Sequence, residues 1–299
     1  MRLLITTQSL DLNDPILGFF HRWVEEFAKH CESIEVVCLR AGDYSLPPNV
    51  HVHSLGKEHG GLRLLRWVRA LRYIVGLRSK YDHVFVHMNP EYLVLAGWFW
   101  RLWGKRSVLW YTHKSVDLKL RAATLFANAV LTASKESFRL PTNKLRVVGH
   151  GIDTGFFSVD QAVVRGSHYL SVGRLMPSKR HDLAIRAAHE AGVSLHIAGN
   201  GPEQANLEAL AAQLGATVEF LGGITQQQLR QEYRTAAKLV HTSETGSLDK
   251  VVLEALACGL AIATNDPALK HLESEGPAYI QKNHSLDSLI VRILEILHG

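Results

Sequence analysis

Short apolar runs alternate with longer amphipathic ones along all 299 residues, which predicts an α/β protein of two Rossmann-like domains, each a parallel sheet with helices on both faces. Two further observations support this. The pattern restarts after a glycine- and aspartate-rich loop, GHGIDTGFFSVD at 149–160, and glycines recur where strands end. In the first half, runs rich in Val, Ile and Leu at 2–6, 34–39, 50–53, 83–87, 107–111, 129–132 and 145–148 read as buried strands. Segments 19–29, 62–77, 91–103 and 119–126 carry the helical pattern between them. In the second half, 168–172, 194–198, 217–221, 239–241 and 261–263 read as strands, and 180–191, 202–214, 225–233, 250–258 and 285–298 as helices. The expected domains are therefore 1–158 and 159–299, with a ligand in the cleft between them.

Composition narrows the class. A content of 46% hydrophobic and 20% charged residues is that of a soluble globular protein. Three apolar residues after Met1-Arg2 are too few for a secretory core, and the strongest apolar run, 92–100, is half of the ~20 residues a membrane span needs. Cys31, Cys38 and Cys258 lack metal-ligand spacing, and their odd number fits a reducing compartment, so a cytoplasmic location is expected. Residues 1–150 hold 21 Lys/Arg against 12 Asp/Glu, and residues 151–299 hold 12 against 16, so a +9 half precedes a −4 half. Nucleic acid, an anionic membrane face and an acidic substrate all suit the basic half. No nucleic-acid-binding signature accompanies it, and no nucleic-acid partner is expected.

The chemistry concentrates in the second half. SVGRLMPSK at 171–179 sets Arg174 and Lys179 five residues apart after a strand, with Gly173 turning the backbone, a place to hold a diphosphate. Solvated surface cations are the alternative. IAGNGP at 197–202 ends the next strand with Gly199, Asn200 and Gly201, bringing backbone amides within reach of a ligand, although such turns also merely close a βα unit. In TGSLDKVVLEALACG at 245–259, Glu254 is the polar exception on a buried helix. It serves either as a dipole partner or as acceptor for both hydroxyls of a ribose.

Taken in order, these motifs resemble glycosyltransferase family 4, the retaining nucleotide-sugar transferases of the GT-B fold. The matching residues are Gly173, Arg174, Leu175 and Lys179; Gly199–Pro202; Glu254–Gly259; and the interdomain GHGIDTGFF. The resemblance covers the second domain and, more loosely, the first. It implies that Arg174 and Lys179 neutralise the donor diphosphate, that Glu254 binds the ribose, and that 218–224, including Leu221, borders the base. The donor it implies is a UDP-sugar first and a GDP-sugar second, with no cofactor. A fixed cation pair replaces a divalent ion, and no Asp-x-Asp pair is positioned to hold one, so no metal is expected.

The sequence also departs from the family. A second glutamate usually stands eight positions before the ribose-binding one; here that position is Gly246. Ser247 and Asp249 replace usual glycines, so Asp249 or Glu244 is the candidate acceptor for sugar hydroxyls and Lys250 a phosphate contact; ordinary helix-start roles are the alternative. The chain ends after one helix, sooner than family members do, which implies loss of the long terminal helix that returns to the first domain.

The first domain is expected to hold the acceptor, a glycan, a lipid-linked sugar or a small molecule. Gly18 stands where family members carry glycines that admit sugar and phosphate, and His113 resembles the cleft histidine that contacts the transferred sugar; a locally bonded strand-end histidine is the alternative. His87, Asn89 and Glu91 sit at another strand end. On the helix at 62–77, Leu64, Trp67, Val68, Leu71, Ile74 and Val75 share one face and Arg63, Arg66, Arg69 and Arg72 the other. That suits an anionic membrane face or a phosphorylated acceptor, and equally a helix covering a sheet. The helix at 91–103 is expected in the core. The reading is a metal-independent, retaining glycosyltransferase, cytoplasmic and peripheral to the membrane. A non-catalytic nucleotide-sugar-binding subunit and a nucleotide-sugar epimerase are the alternatives.

Overall fold

The structure is a computed structural model and describes residues 1–14, 16–243, 246 and 248–299. The first unit begins with β1 (Arg2–Leu10), α1 (Phe19–His30), β2 (Ser33–Ala41), β3 (Val50–Ser54), α2 (Arg63–Gly76) and β4 (His83–His87). It continues through α3 (Glu91–Leu102), β5 (Arg106–Trp110), α4 (Leu118–Phe126), β6 (Ala129–Thr132) and β7 (Leu145–Val147). Its seven strands run parallel in the order β3-β2-β1-β4-β5-β6-β7. Alternation along β1 shows why both faces are covered: Leu3 and Ile5 enter one core and Leu4 the other. Phe20, Trp23, Val24 and Phe27 recur at helical spacing on α1 and fill the first core.

The second unit holds β8 (Tyr169–Val172), α5 (His181–Glu190), β9 (Leu195–Ala198), α6 (Gln204–Leu214), β10 (Val218–Gly222) and α7 (Gln226–Thr235). It closes with β11 (Lys238–His241), α8 (Lys250–Ala257), β12 (Ile262–Thr264) and α9 (Pro277–His284); α10 (Leu286–His298) follows. Its five strands are parallel in the order β10-β9-β8-β11-β12. The guanidinium of Arg165 donates to the carbonyls of Tyr233, Arg234, Ala236 and Cys258, so one side chain caps the carboxyl ends of both α7 and α8.

The division differs from the expected one. Contacts group Met1–Gly151 with Leu286–Gly299, and Ile152–Ser285 apart from them, so the boundary lies seven residues before the expected 158/159. α10, expected in the second domain, packs its Leu289, Ile290, Ile293 and Leu297 into the α1 core of the first unit. A returning terminal helix is therefore present, contrary to the loss that the early chain end implied.

Two helices also depart from their expected burial. On α2 the buried residues are Ala70 and Ile74, while Leu64 and Val68, expected against the sheet, are 71% and 59% exposed. On α3, Tyr92, Leu93, Ala96 and Trp100 are buried, but Trp98 and Leu102 face solvent. In both cases the sheet takes a narrow stripe and leaves the rest of a wide apolar surface uncovered. α9 was not expected at all, because 270–284 carries few apolar residues; its one sequence signal is Pro277 at the first helical position.

Candidate functional site

In each sheet the strand order reverses once, and α/β sheets bind ligands outside the carboxyl ends of the strands at that point. In the second unit the reversal lies between β8 and β11. The β8 loop carries Gly173, Arg174 and Lys179; the β11 loop leads to Asp249 and α8.

Glycines set the spacing of these loops. Gly173 has φ +151 and Gly199 φ +148, and a Cβ on Gly199 would stand 1.9 Å from the Gly173 carbonyl oxygen. A Cβ on Gly201 would fall 2.2 Å from the Leu175 carbonyl oxygen. Backbone hydrogen bonds complete the brace: Gly173 N–H to the Ala198 carbonyl, Leu175 N–H to that of Asn200, and Gly199 N–H to that of Gly222. The side chain of Asn200 lies over Gly222 and Gly223 at the end of β10, beside half-buried Leu221. The Gly199 N–H, expected within reach of a ligand, is thus spent on this brace, and each loop is built on its neighbour.

The two cations differ. Arg174 is exposed, and among the described residues its guanidinium has no hydrogen-bond or ion-pair partner. Lys179, at the end of a 3-10 turn (Pro177–Lys179), places its ammonium 2.6 Å from Asp249 Oδ2. The same oxygen is 3.2 Å from Nε2 of buried His241, whose Nδ1 meets Thr264 Oγ1 at 3.0 Å. Burial alone pushes the Asp249 carboxyl up, but the His241 hydrogen bond and the Lys179 ammonium outweigh it and hold it well below the usual carboxylate range. The Thr242 hydroxyl donates to the Lys179 carbonyl at 2.9 Å and fastens the two loops. His241 and Thr242 were missed in the sequence, where a strand-end His-Thr gives no sign of its partner.

Glu254 is the fifth residue of α8 and 4% exposed. It accepts from the Tyr233 hydroxyl at 3.2 Å on Oε2, and Lys250 Nζ lies 3.2 Å from Oε1. Both oxygens are already engaged, so a ribose would have to share them. Gly246 is left-handed, φ +59, and its N–H donates to Asp266 Oδ2 at 2.6 Å, a backbone angle that disfavours the glutamate usual at this position. Ser247 and Glu244 lie outside the described residues. Behind the β8 loop, buried His181 pairs its Nδ1 with Ser171 Oγ at 2.9 Å; burial pushes its imidazole down to about 4, against the smaller pull of the Arg174 and Gly173 backbone.

The first unit has its own reversal, between β1 and β4. There Gln8 donates to Asn89 at 2.9 Å, and a cavity of about 220 Å³ opens among Gln8, Lys57, Arg63, Arg66, Asn89 and Glu91. Glu91 also pairs with Lys119 at 3.0 Å, whereas His87 is buried, stacked on Phe20 and bonded to Thr7. Gly18 is buried before α1, and a Cβ there would meet the Asp14 carbonyl oxygen at 2.6 Å, so its missing side chain makes room for its own loop. His113 is exposed after β5. Its Nδ1 accepts from the Ser115 N–H at 3.1 Å, which places the proton of the neutral ring on Nε2 as an outward donor. Of the four α2 arginines, Arg66 and Arg69 donate to the Gly61 and Leu55 carbonyls, while Arg63 and Arg72 are exposed. Among the described residues, no helix is long and apolar enough to cross a membrane.

Residues 163–299 match the family described as glycosyl transferases group 1. Among curated proteins, the chain is 34% identical over 137 residues to a D-inositol 3-phosphate glycosyltransferase of Mycobacteroides abscessus, covering 40% of this chain and 31% of that protein. It is 23% identical over 227 residues to a sulfoquinovosyl transferase of Arabidopsis thaliana, covering 70% and 43%. The chain thus spans about a third of the length of the first curated relatives it matches. Among solved structures, Anabaena HepE in complex with UDP aligns over 100% of both chains with a TM-score of 0.75 and 16% identity. Sucrose-phosphate synthase from Thermosynechococcus elongatus aligns over 99% of this chain and 98% of its own with a TM-score of 0.70 and 14% identity. At such identities the structural likeness speaks for the fold alone, which is GT-B, while the match to the group 1 glycosyl transferases is confined to residues 163–299.

Proposed function

We propose that the chain transfers a sugar from a nucleoside-diphosphate sugar, a UDP-sugar first and a GDP-sugar second, to an acceptor bound by the first unit. Transfer proceeds with retention of anomeric configuration and without a metal ion. The observation that carries this reading is Arg174: an exposed guanidinium with no partner among the described residues, on a glycine-braced loop at the strand-order reversal. Breaking the anomeric C–O bond leaves negative charge on the diphosphate, and a fixed guanidinium stabilises that charge in the transition state. Lys179 adds a second cation once it is shared with Asp249, and Glu254 accepts from the ribose while keeping Tyr233. The leaving phosphate oxygen takes the proton of the attacking acceptor hydroxyl on the same face, so no side-chain nucleophile is needed. His113 Nε2–H is the donor offered to the transferred sugar.

One structural neighbour supports the donor class by its own ligands: HepE is described with UDP, and with UDP and glucose. The test is turnover of UDP- and GDP-sugars with chelator present. Arg174→Ala is expected to lower it by about 10²–10³-fold, as does removal of an oxyanion donor. Unchanged turnover would remove Arg174 from the chemistry. A second reading, a non-catalytic subunit that binds nucleotide sugar, is favoured by Gly246 in place of a carboxylate. It predicts UDP binding with neither transfer nor donor hydrolysis.

The acceptor surface of this proposal includes α2, where Leu62, Leu64, Leu65 and Val68 are exposed among Arg63, Arg66, Arg69 and Arg72. Apolar side chains beside cations suit the surface of an anionic bilayer, where a lipid-linked acceptor resides.

A further inference from the structure

We propose that His168, His196 and Glu232 form a binding site for one divalent transition-metal ion, zinc first, at the amino-terminal edge of the second sheet. His168 immediately precedes β8, His196 is the second residue of β9, and Glu232 lies on α7. The strands are parallel, so this edge is opposite the one that carries Gly173, Arg174 and Gly199. The three residues are far apart in the chain and show no local ligand spacing, so the sequence does not announce the cluster.

The fold brings one ligand atom from each to within 4.8 Å of the others. Glu232 Oε2 is 2.9 Å from His196 Nδ1 and 3.7 Å from His168 Nε2. Around a tetrahedral zinc with bonds near 2.0–2.1 Å, ligand atoms stand about 3.3–3.5 Å apart. The two distances bracket that value.

One feature of the cluster favours an ion over a plain hydrogen-bond network: His168 Nε2 is buried and has no hydrogen-bond partner among the described residues, a costly state for a polar atom. The imidazoles are stacked, centroids 4.0 Å apart and planes 21° apart, so one ring turns about its Cβ–Cγ bond to bring the ion into both ring planes.

On the far side of His196, Nε2 is 3.4 Å from Glu219 Oε2. A carboxylate there keeps the proton on Nε2 and turns the Nδ1 lone pair toward the ion, the arrangement that orients metal-bound histidines. Two imidazoles and one carboxylate suit zinc better than magnesium or calcium. Glu232, 20% exposed, leaves a fourth position open to water. On binding, any proton on His196 Nδ1 or His168 Nε2 passes to solvent. The bound ion ties α7 to β8 and β9.

The test titrates the chelator-treated full chain with Zn²⁺ by calorimetry and with Co²⁺ by visible absorption. One ion per chain, with the intense Co²⁺ band of a tetrahedral site, is expected. His168→Gln and His196→Gln should abolish it, and Glu219→Gln should weaken affinity by about 10–100-fold. Glu219 is 66% exposed, so that variant keeps the test informative if a buried-histidine variant misfolds. Absence of binding, or an affinity unchanged in His168→Gln/His196→Gln and in Glu219→Gln, overturns the proposal. UDP binding, at the opposite strand ends, should be the same in all variants.

Discussion

Replacing Asp249 by Asn tests whether the second cation of the donor site is held by an internal carboxylate. The Lys179–Asp249 contact is 2.6 Å, and the two side chains are 25% and 18% exposed. At an effective dielectric near 20 the gross attraction is about 6 kcal/mol, most of it offset by the cost of burying both charges. Breaking a fully buried pair costs about 3–5 kcal/mol. Partial exposure, and the hydrogen bond that Asn retains, reduce the expected loss to about 2 kcal/mol at pH 7. Binding should move the other way. Asp249 is anionic at neutral pH, because its carboxyl is held below the usual range, and under the proposed function it stands where a diphosphate approaches Lys179. A charge about 6 Å away in a partly wet site opposes an anion by about 1 kcal/mol per phosphate charge. UDP should therefore bind Asp249→Asn about 5–30-fold more tightly. The assays are calorimetric titration with UDP and hydrogen exchange of the β8 and β11 amides, with Lys179→Ala/Asp249→Asn as the control that erases the gain. A folded Asp249→Asn protein that binds UDP no better, or worse, refutes the reasoning and makes Asp249 a brace for Lys179 instead.

Two further outcomes follow from the same structure. Buried His181 has its pKa lowered from 6.5 to about 4, so the unfolded chain binds a proton that the folded one refuses between those values. Stability of the second unit should be fully present above pH 6.5 and fall by about 3 kcal/mol as pH drops to 4, and His181→Gln should lose that slope in urea titrations across the window; a slope kept in the variant would assign it to other groups. For α2, Leu64→Ser/Val68→Ser should weaken affinity for phosphatidylcholine–phosphatidylglycerol vesicles, read by sedimentation, by about 30-fold or more, since each side chain contributes over 1 kcal/mol when buried in a bilayer. Equal binding by the variant, or binding to phosphatidylcholine alone, would remove α2 from membrane contact.

The sequence was most legible where one local pattern has one structural meaning. Strands covered on both faces leave continuous runs such as His83–His87, and a glycine after such a run marks a turn, as Gly173 and Gly199 do. It was least legible where the partner is distant in the chain. Nothing local announces that Lys179 meets Asp249, that Tyr233 occupies an oxygen of Glu254, or that α10 returns to the α1 core. The helical wheel of α2 finds an apolar face but not how much of it the sheet covers; the buried residues are only Ala70 and Ile74. Gly18 shows a further limit, because its reason is the Asp14 carbonyl oxygen packed against it, a contact visible only in three dimensions.

The geometry of the β8 loop also ranks the two cations. Arg180, next to Lys179, is a non-glycine residue in the left-handed region at φ +51, and its guanidinium forks onto Asp182, so the loop ends in a strained but fixed turn. Its start is equally fixed, by Gly173 and Gly199 packed backbone to backbone. Arg174 projects from this rigid base without an internal partner among the described residues, so engaging a phosphate breaks nothing. Lys179 must first be drawn from a 2.6 Å contact. An interaction that strengthens only as the leaving group gains charge raises the rate, whereas one equally strong beforehand raises affinity alone. Lys179 fits the first description, because only a diphosphate at full charge competes with Asp249 for the ammonium. Arg174 fits both. Its loss should therefore weaken UDP-sugar binding and turnover together, whereas Lys179→Ala should lower turnover more than it lowers affinity for the intact UDP-sugar.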